Sequence, residues 1–158
     1  MNAIPLASMT QALPEIVLTC GAMALLMLGA YRERSEKAVS VCSILLLIAA
    51  AAAVVVIPNG RIFGTSFILD DFARFMKILA YAGSAFAIVM SLDYLEKARQ
   101  QTFEYPVLIL LSTVGMGMLI SAGDLIALYL GLELMSLALY VVAASNRDSV
   151  QSTEAGLK

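Results

Sequence analysis

Glu133 stands in the stretch "DLIALYLGLELMSLALYVVAASNRD", Asp124 to Asp148, which is otherwise almost wholly apolar. Tyr129, Ser136, Leu137 and Tyr140 lie four residues before it and three, four and seven after it, so a helix gathers them on the side of the acid. Their hydroxyls can bond the carboxyl directly or through water. Desolvation favours the neutral form of a buried carboxyl and a nearby Lys or Arg favours the charged form, so a changing partner lets such a group take and release a proton. That is the chemistry a proton path requires. The plainer role is structural, with Glu133 permanently protonated and joining helices through a hydrogen bond.

Counted from Asp124, Glu133 lies roughly 13 Å along its helix, close to the middle of a hydrocarbon layer roughly 30 Å thick. An acid at that depth costs at least ~2.5 kcal/mol by insertion scales, and it normally faces a bundle interior or a wet cavity. The element that must position it is therefore a membrane span, and the rest of the chain fits that setting. Of 158 residues, 61% are hydrophobic and 14% charged. Mean hydropathy is +0.88. A soluble core of this size cannot absorb that balance.

The apolar residues gather into about five runs, each long enough to cross a bilayer. They are "LPEIVLTCGAMALLMLGAY" (13–31), "AVSVCSILLLIAAAAAVVVI" (38–57), "FARFMKILAYAGSAFAIVMSL" (72–92), one over 105–122 and one over 125–143. The expected fold is all-α and integral to the membrane, a single bundle over 1–158 with about five transmembrane helices and the start of a sixth. No basic residue precedes the first run and Pro14 and Glu15 open it, so it reads as a retained span and not a cleaved signal. Between the second and third runs, Asn59-Gly60 and the alternation Phe63, Thr65, Phe67 suggest a short β-hairpin. Gly123 ends the fourth run and Asp124 is placed to cap the fifth, making the two antiparallel neighbours. Thr113, Gly117 and Ser121 recur at a spacing of four, a pattern that lets helices pack closely.

Lys and Arg counts set the orientation. "YRERSEK" and "DYLEKARQQTFE" carry the basic residues of the loops on one side, whereas the first residues and "SAGD" have none and the second-to-third connection has only Arg61. The richer side is cytoplasmic and the N-terminus faces out. Arg74 and Lys77 sit in the first turns of the third run, where they can snorkel outwards and meet Asp70 and Asp71 at helical spacing. Cys20 and Cys42 fall inside apolar runs without metal-ligand spacing and suit packing better than a disulfide. A net charge of −2 with no basic block excludes a nucleic-acid partner. The sequence has no phosphate-binding glycine loop, metal cluster or nucleophile beside a base, so no independent catalysis is expected.

"DLIALYLGLELMSLALYVVAASNRDSVQSTEAGLK" resembles subunit N of the bacterial proton-pumping NADH-quinone oxidoreductase, respiratory complex I, and its mitochondrial counterpart, subunit 2, in the antiporter-like family. "LGLELMSL" and "STEAGLK" carry most of the likeness and "DDFARFMKIL" adds to it. The resemblance implies a larger helix bundle in which a fifth-helix glutamate, here Glu133, pairs with a lysine on a later, broken helix. It also makes Glu154 and Lys158 candidate charge partners. Those broken helices and their lysines would lie past Lys158, where a helix has only begun, so the chain is expected to be an N-terminal fragment holding half of a proton site. It implies a membrane-arm subunit in the bacterial inner membrane, or the mitochondrial inner membrane if organellar, among other membrane subunits of the complex and lipid. This chain should bind no cofactor itself, since NADH, FMN, iron–sulfur clusters and quinone are expected in other subunits. The alternatives are a subunit of a multi-subunit cation/proton antiporter, and a structural membrane scaffold with no proton path.

Overall fold

In a computed structural model, which describes residues 10–31, 36–98 and 103–144 together with Ser152 and Glu154, the five apolar runs are all helical. They are α1 (Leu13–Tyr31), α2 (Glu36–Val56), α3 (Asp71–Ala98), α4 (Glu104–Ile120) and α5 (Leu125–Ala143). In lipid, each backbone N–H and C=O must bond within its own segment, and long runs of Leu, Ile, Val and Ala meet that demand as helices. Four helices are long and apolar enough to cross a membrane. The fifth, α4, has 17 apolar-rich residues, within the usual range for a span. Pro106 falls in the first turn of α4, where its missing N–H costs no helical bond. Ser152 and Glu154 have helical backbone, and Lys158 lies outside the described residues.

Helices α1 to α4 form a ring in which α1 packs on α2 and α4, and α3 packs on α2 and α4; α5 lies outside it, chiefly against α4. The ring encloses one core, including Leu18 and Leu25 of α1, Leu47 and Val54 of α2, Tyr81 and Ile88 of α3, and Leu110 and Val114 of α4. Large apolar side chains such as Met23, Leu45, Phe86 and Leu125 point outwards. Water would penalise that surface and acyl chains do not, so an apolar outer surface of this kind is what a multi-pass membrane protein requires. Cys20 and Cys42 belong to this outer surface as free thiols, not to the packed interior that their sequence context suggests.

The α2–α3 connection forms the expected hairpin. Strands β1 (Gly60–Ile62) and β2 (Phe67–Leu69) pair antiparallel, with Gly60 opposite Leu69 and Ile62 opposite Phe67. Asn59-Gly60 thus opens the first strand, and the reversal falls at Phe63–Ser66, where Gly64 has φ 71°. The hairpin is anchored to the α4–α5 turn: Ile68 N–H donates to Ser121 O at 2.8 Å and Gly123 N–H to Ser66 O at 2.9 Å. A Cβ on Gly123 would come within 1.8 Å of Thr65 O, so only glycine permits this approach. The first turn of α1, the hairpin and the α4–α5 turn therefore share one end of the bundle, called here the hairpin end. A second difference concerns α3, which continues through Asp93–Ala98 where a loop is expected. Those residues include good helix formers, and the helix simply outlasts its apolar run.

Candidate functional site

Asp124 starts α5 as its N-cap: its extended backbone and carboxylate, which accepts from Ala127 N–H at 2.7 Å, fix where the helix begins. Ser66 of the hairpin donates a hydrogen bond to the same carboxylate. That bond, followed by the bond from Ala127, holds the Asp124 carboxyl below the usual carboxylate range. Helices α4 and α5 then run backbone to backbone. A Cβ on Gly131 would meet Leu119 N at 2.7 Å, and one on Gly115 would meet Met135 N at 2.5 Å. The fourth and fifth helices are locked as a pair by these two glycines, as small residues allow in lipid.

This pairing fixes the direction of Glu133. Gly131 and Ala138 are the buried positions of α5 and mark its α4-facing side. At about 100° per residue, Glu133, Tyr129, Ser136 and Tyr140 fall on the opposite side. Glu133 and Ser136 are half-buried, and Tyr129 and Tyr140 are exposed. The four residues share one stripe at mid-helix, but among the described residues no hydrogen bond joins the acid to the three hydroxyls. The stripe lies open on the flank of the five-helix unit. Of the candidate charge partners, Glu154 is exposed and Lys158 is outside the described residues.

A second ionisable site lies at the hairpin end. Arg74 behaves as expected, reaching Asp71 at 2.8 Å, and it also donates to Val54 O, Ile57 O and Asn59 Oδ1, tying the end of α2 to the start of α3. Lys77 does not snorkel. Its side chain is fully buried and its Nζ lies 2.5 Å from Glu15 Oε1 across the ring. The Phe67 ring of β2 covers the ammonium, with its centroid 4.6 Å away, a favourable cation–π position. Among the described residues, Glu15 Oε2, Tyr81 Oη and Ser121 Oγ are buried with no hydrogen-bond partner.

Gly117 brings α4 close to this cluster, since a Cβ there would lie 3.1 Å from Glu15 Oε1 and 3.6 Å from Tyr81 Oη. One turn further along α3, Ser84 accepts a hydrogen bond from Thr113 Oγ1 at 2.7 Å. Lys77, Tyr81 and Ser84 thus form a polar stripe on the inner face of α3. The sequence signal was an acid and a base set inside two separate apolar runs that start from the same side of the membrane. Local spacing to Asp70 and Asp71 obscured it, because a contact between α1 and α3 has no sequence periodicity.

Residues 122–158 match the family described as NADH:quinone oxidoreductase/Mrp antiporter, TM. The chain is 52% identical over 149 residues to NADH-quinone oxidoreductase subunit N of Azorhizobium caulinodans, covering 92% of this chain and 31% of that protein. It is 51% identical over 164 residues to subunit N of Methylobacterium nodulans, covering 100% of this chain and 34% of the relative. Among solved structures, a chain of respiratory complex I from Thermus thermophilus with bound Aureothin superposes with a TM-score of 0.74 at 24% identity, over 91% of this chain and 31% of that one. That likeness establishes the fold. The chain spans about a third of the length of the curated relatives it matches, and nearly all of its own length is similar to NADH-quinone oxidoreductase subunit N.

Proposed function

We propose that this chain is part of a membrane-arm subunit of a proton-pumping NADH-quinone oxidoreductase and contributes part of a proton translocation channel, with Glu133 as a proton-carrying carboxylate. One observation carries the reading: a half-buried acid at the middle of an apolar span, flanked by Tyr129, Ser136 and Tyr140, on the side of α5 turned away from α4. Acyl chains are a costly neighbour for that stripe. It is suited to meet protein, either further helices of a subunit as long as its relatives or a neighbouring membrane subunit. There a lysine approaching and withdrawing would bind and release the proton on Glu133. Glu154 and Lys158 are candidates for modulating that charge.

In this reading the subunit lies in the bacterial inner membrane with the hairpin end and the N-terminus outside, as the Lys and Arg distribution favours. NADH oxidation and the redox centres belong to other subunits of the complex. The experiment is Glu133→Ala in the full-length subunit within the assembled enzyme. Proton translocation driven by NADH oxidation should be abolished, and normal pumping would remove Glu133 from the path. The family description that matches 122–158 also covers Mrp antiporters, so a cation/proton antiporter subunit is the second reading. Proton movement that follows a sodium gradient, and not NADH oxidation, would favour it.

A further inference from the structure

We propose that Glu15 and Lys77 form a second proton-exchange site, at the hairpin end of the ring and separate from Glu133, fed from the bundle interior along Tyr81, Ser84 and Thr113. This inference rests on the reading that the assembled complex pumps protons, but it concerns a different site. The starting point is a buried Lys–Glu pair inside the helix bundle, at a contact of 2.5 Å. An ion pair with both side chains buried has lost most of its hydration, so the charged and neutral pairs are closer in free energy here than at a surface. A proton passing from Lys77 Nζ to Glu15 Oε1 converts one into the other without moving either helix.

The unpaired polar atoms supply the way in and out. Glu15 Oε2 is buried without a hydrogen-bond partner among the described residues, and Glu15 also lines a groove of about 300 Å³ between α1, α4 and the hairpin, walled by Ile16, Phe63, Phe67, Val114 and Met118. A largely apolar passage of that kind conducts only when it is wetted, which makes it a gate. On the inner side, Tyr81 Oη has no hydrogen-bond partner among the described residues, and the bonded Thr113–Ser84 hydroxyls continue the α3 stripe. From Lys77 to Ser84 this stripe runs roughly 10 Å into the membrane.

One cycle balances as follows. Lys77 gives a proton to Glu15, Glu15 releases one to water in the groove, and the neutral Lys77 amine takes one delivered along the hydroxyls, so one proton enters, one leaves, and no electrons move. The titratable groups facing the site are Glu15 on α1 with Cys20 along the groove, and Lys77 and Tyr81 on α3; α2, α4 and the hairpin present none to it among the described residues.

The test uses the full-length subunit in the assembled complex, reconstituted in vesicles, with Glu133→Gln measured in parallel. Lys77→Arg keeps the ion pair but its guanidinium cannot give up a proton, and Glu15→Gln/Lys77→Met removes both charges together. Exchange at this site predicts that either variant assembles yet translocates at least twofold fewer protons per NADH oxidised. Normal stoichiometry in either one, with Glu133→Gln impaired, overturns the second site while leaving the role of Glu133 intact. If neither assembles, Tyr81→Phe, which removes one buried hydroxyl, decides by the same twofold criterion.

Discussion

Lys77 Nζ lies 2.5 Å from Glu15 Oε1 with both side chains buried, so α1 and α3 are joined inside the ring by an ion pair that spans 62 residues of sequence. Removing one partner strands a charge in the bundle at a cost of ~3–5 kcal/mol, whereas replacing both by side chains of similar volume is close to neutral. Lys77→Met alone should therefore lower the Tm of the full-length subunit in detergent much further than Glu15→Gln/Lys77→Met does. Equal losses in the two variants would contradict the pairing.

The α4–α5 contact depends on two glycines whose added Cβ atoms would strike backbone, which cannot move aside as a flexible side chain can. Gly131→Ala should destabilise by ~1–3 kcal/mol through overpacking. Gly83 of α3 has open space where its Cβ would be, so Gly83→Ala should instead stabilise by roughly 0.5–1 kcal/mol through helix propensity. Thermal unfolding of both variants under one condition checks the opposite signs.

Arg74 donates to two carbonyls of the α2 end as well as to Asn59 and Asp71. A lysine has the charge but not the planar fork. Arg74→Lys should cost ~1–3 kcal/mol from lost charge-assisted bonds, and proteolysis at the α2–α3 connection should quicken. Unchanged cleavage would mean that the fork is dispensable.

Asp124 links pH to the start of α5. Its carboxyl is held below the usual range by Ser66 and Ala127, so the stabilisation is complete above the ordinary carboxylate pKa of about 3.9 and is lost as pH falls through the lowered folded value. Asp124→Ala should melt below the parent at neutral pH, with the gap closing in acid. A gap constant from pH 7 to pH 2 would contradict the capping role.

What could be read from the sequence was whatever repeats locally. The five runs, the cap at Asp124 and the depth of Glu133 all follow from spacing along one segment, because lipid imposes helices and their minimum length. The hairpin was visible in its composition, but its turn was not, since Asn59-Gly60 is the stronger turn signal and docking against Ser121 and Gly123 moved the reversal to Phe63–Ser66. The burial of Lys77 is hidden in the sequence for a related reason. Asp70 and Asp71 offered near partners at helical spacing, while its actual partner lies on α1. The stripe on α5 was legible as a stripe, but its outward direction was not, because that depends on Gly115 and Gly131 placing α4 on the other side.

The central claim is that Glu133 changes its protonation as the enzyme turns over. Infrared difference spectra of the intact complex, recorded between oxidised and NADH-reduced states, test it directly. A proton-carrying Glu133 gives a protonated-carboxyl band that appears or vanishes with turnover in the parent enzyme and is missing in Glu133→Gln. A spectrum in which that variant and the parent share every carboxyl change would contradict it.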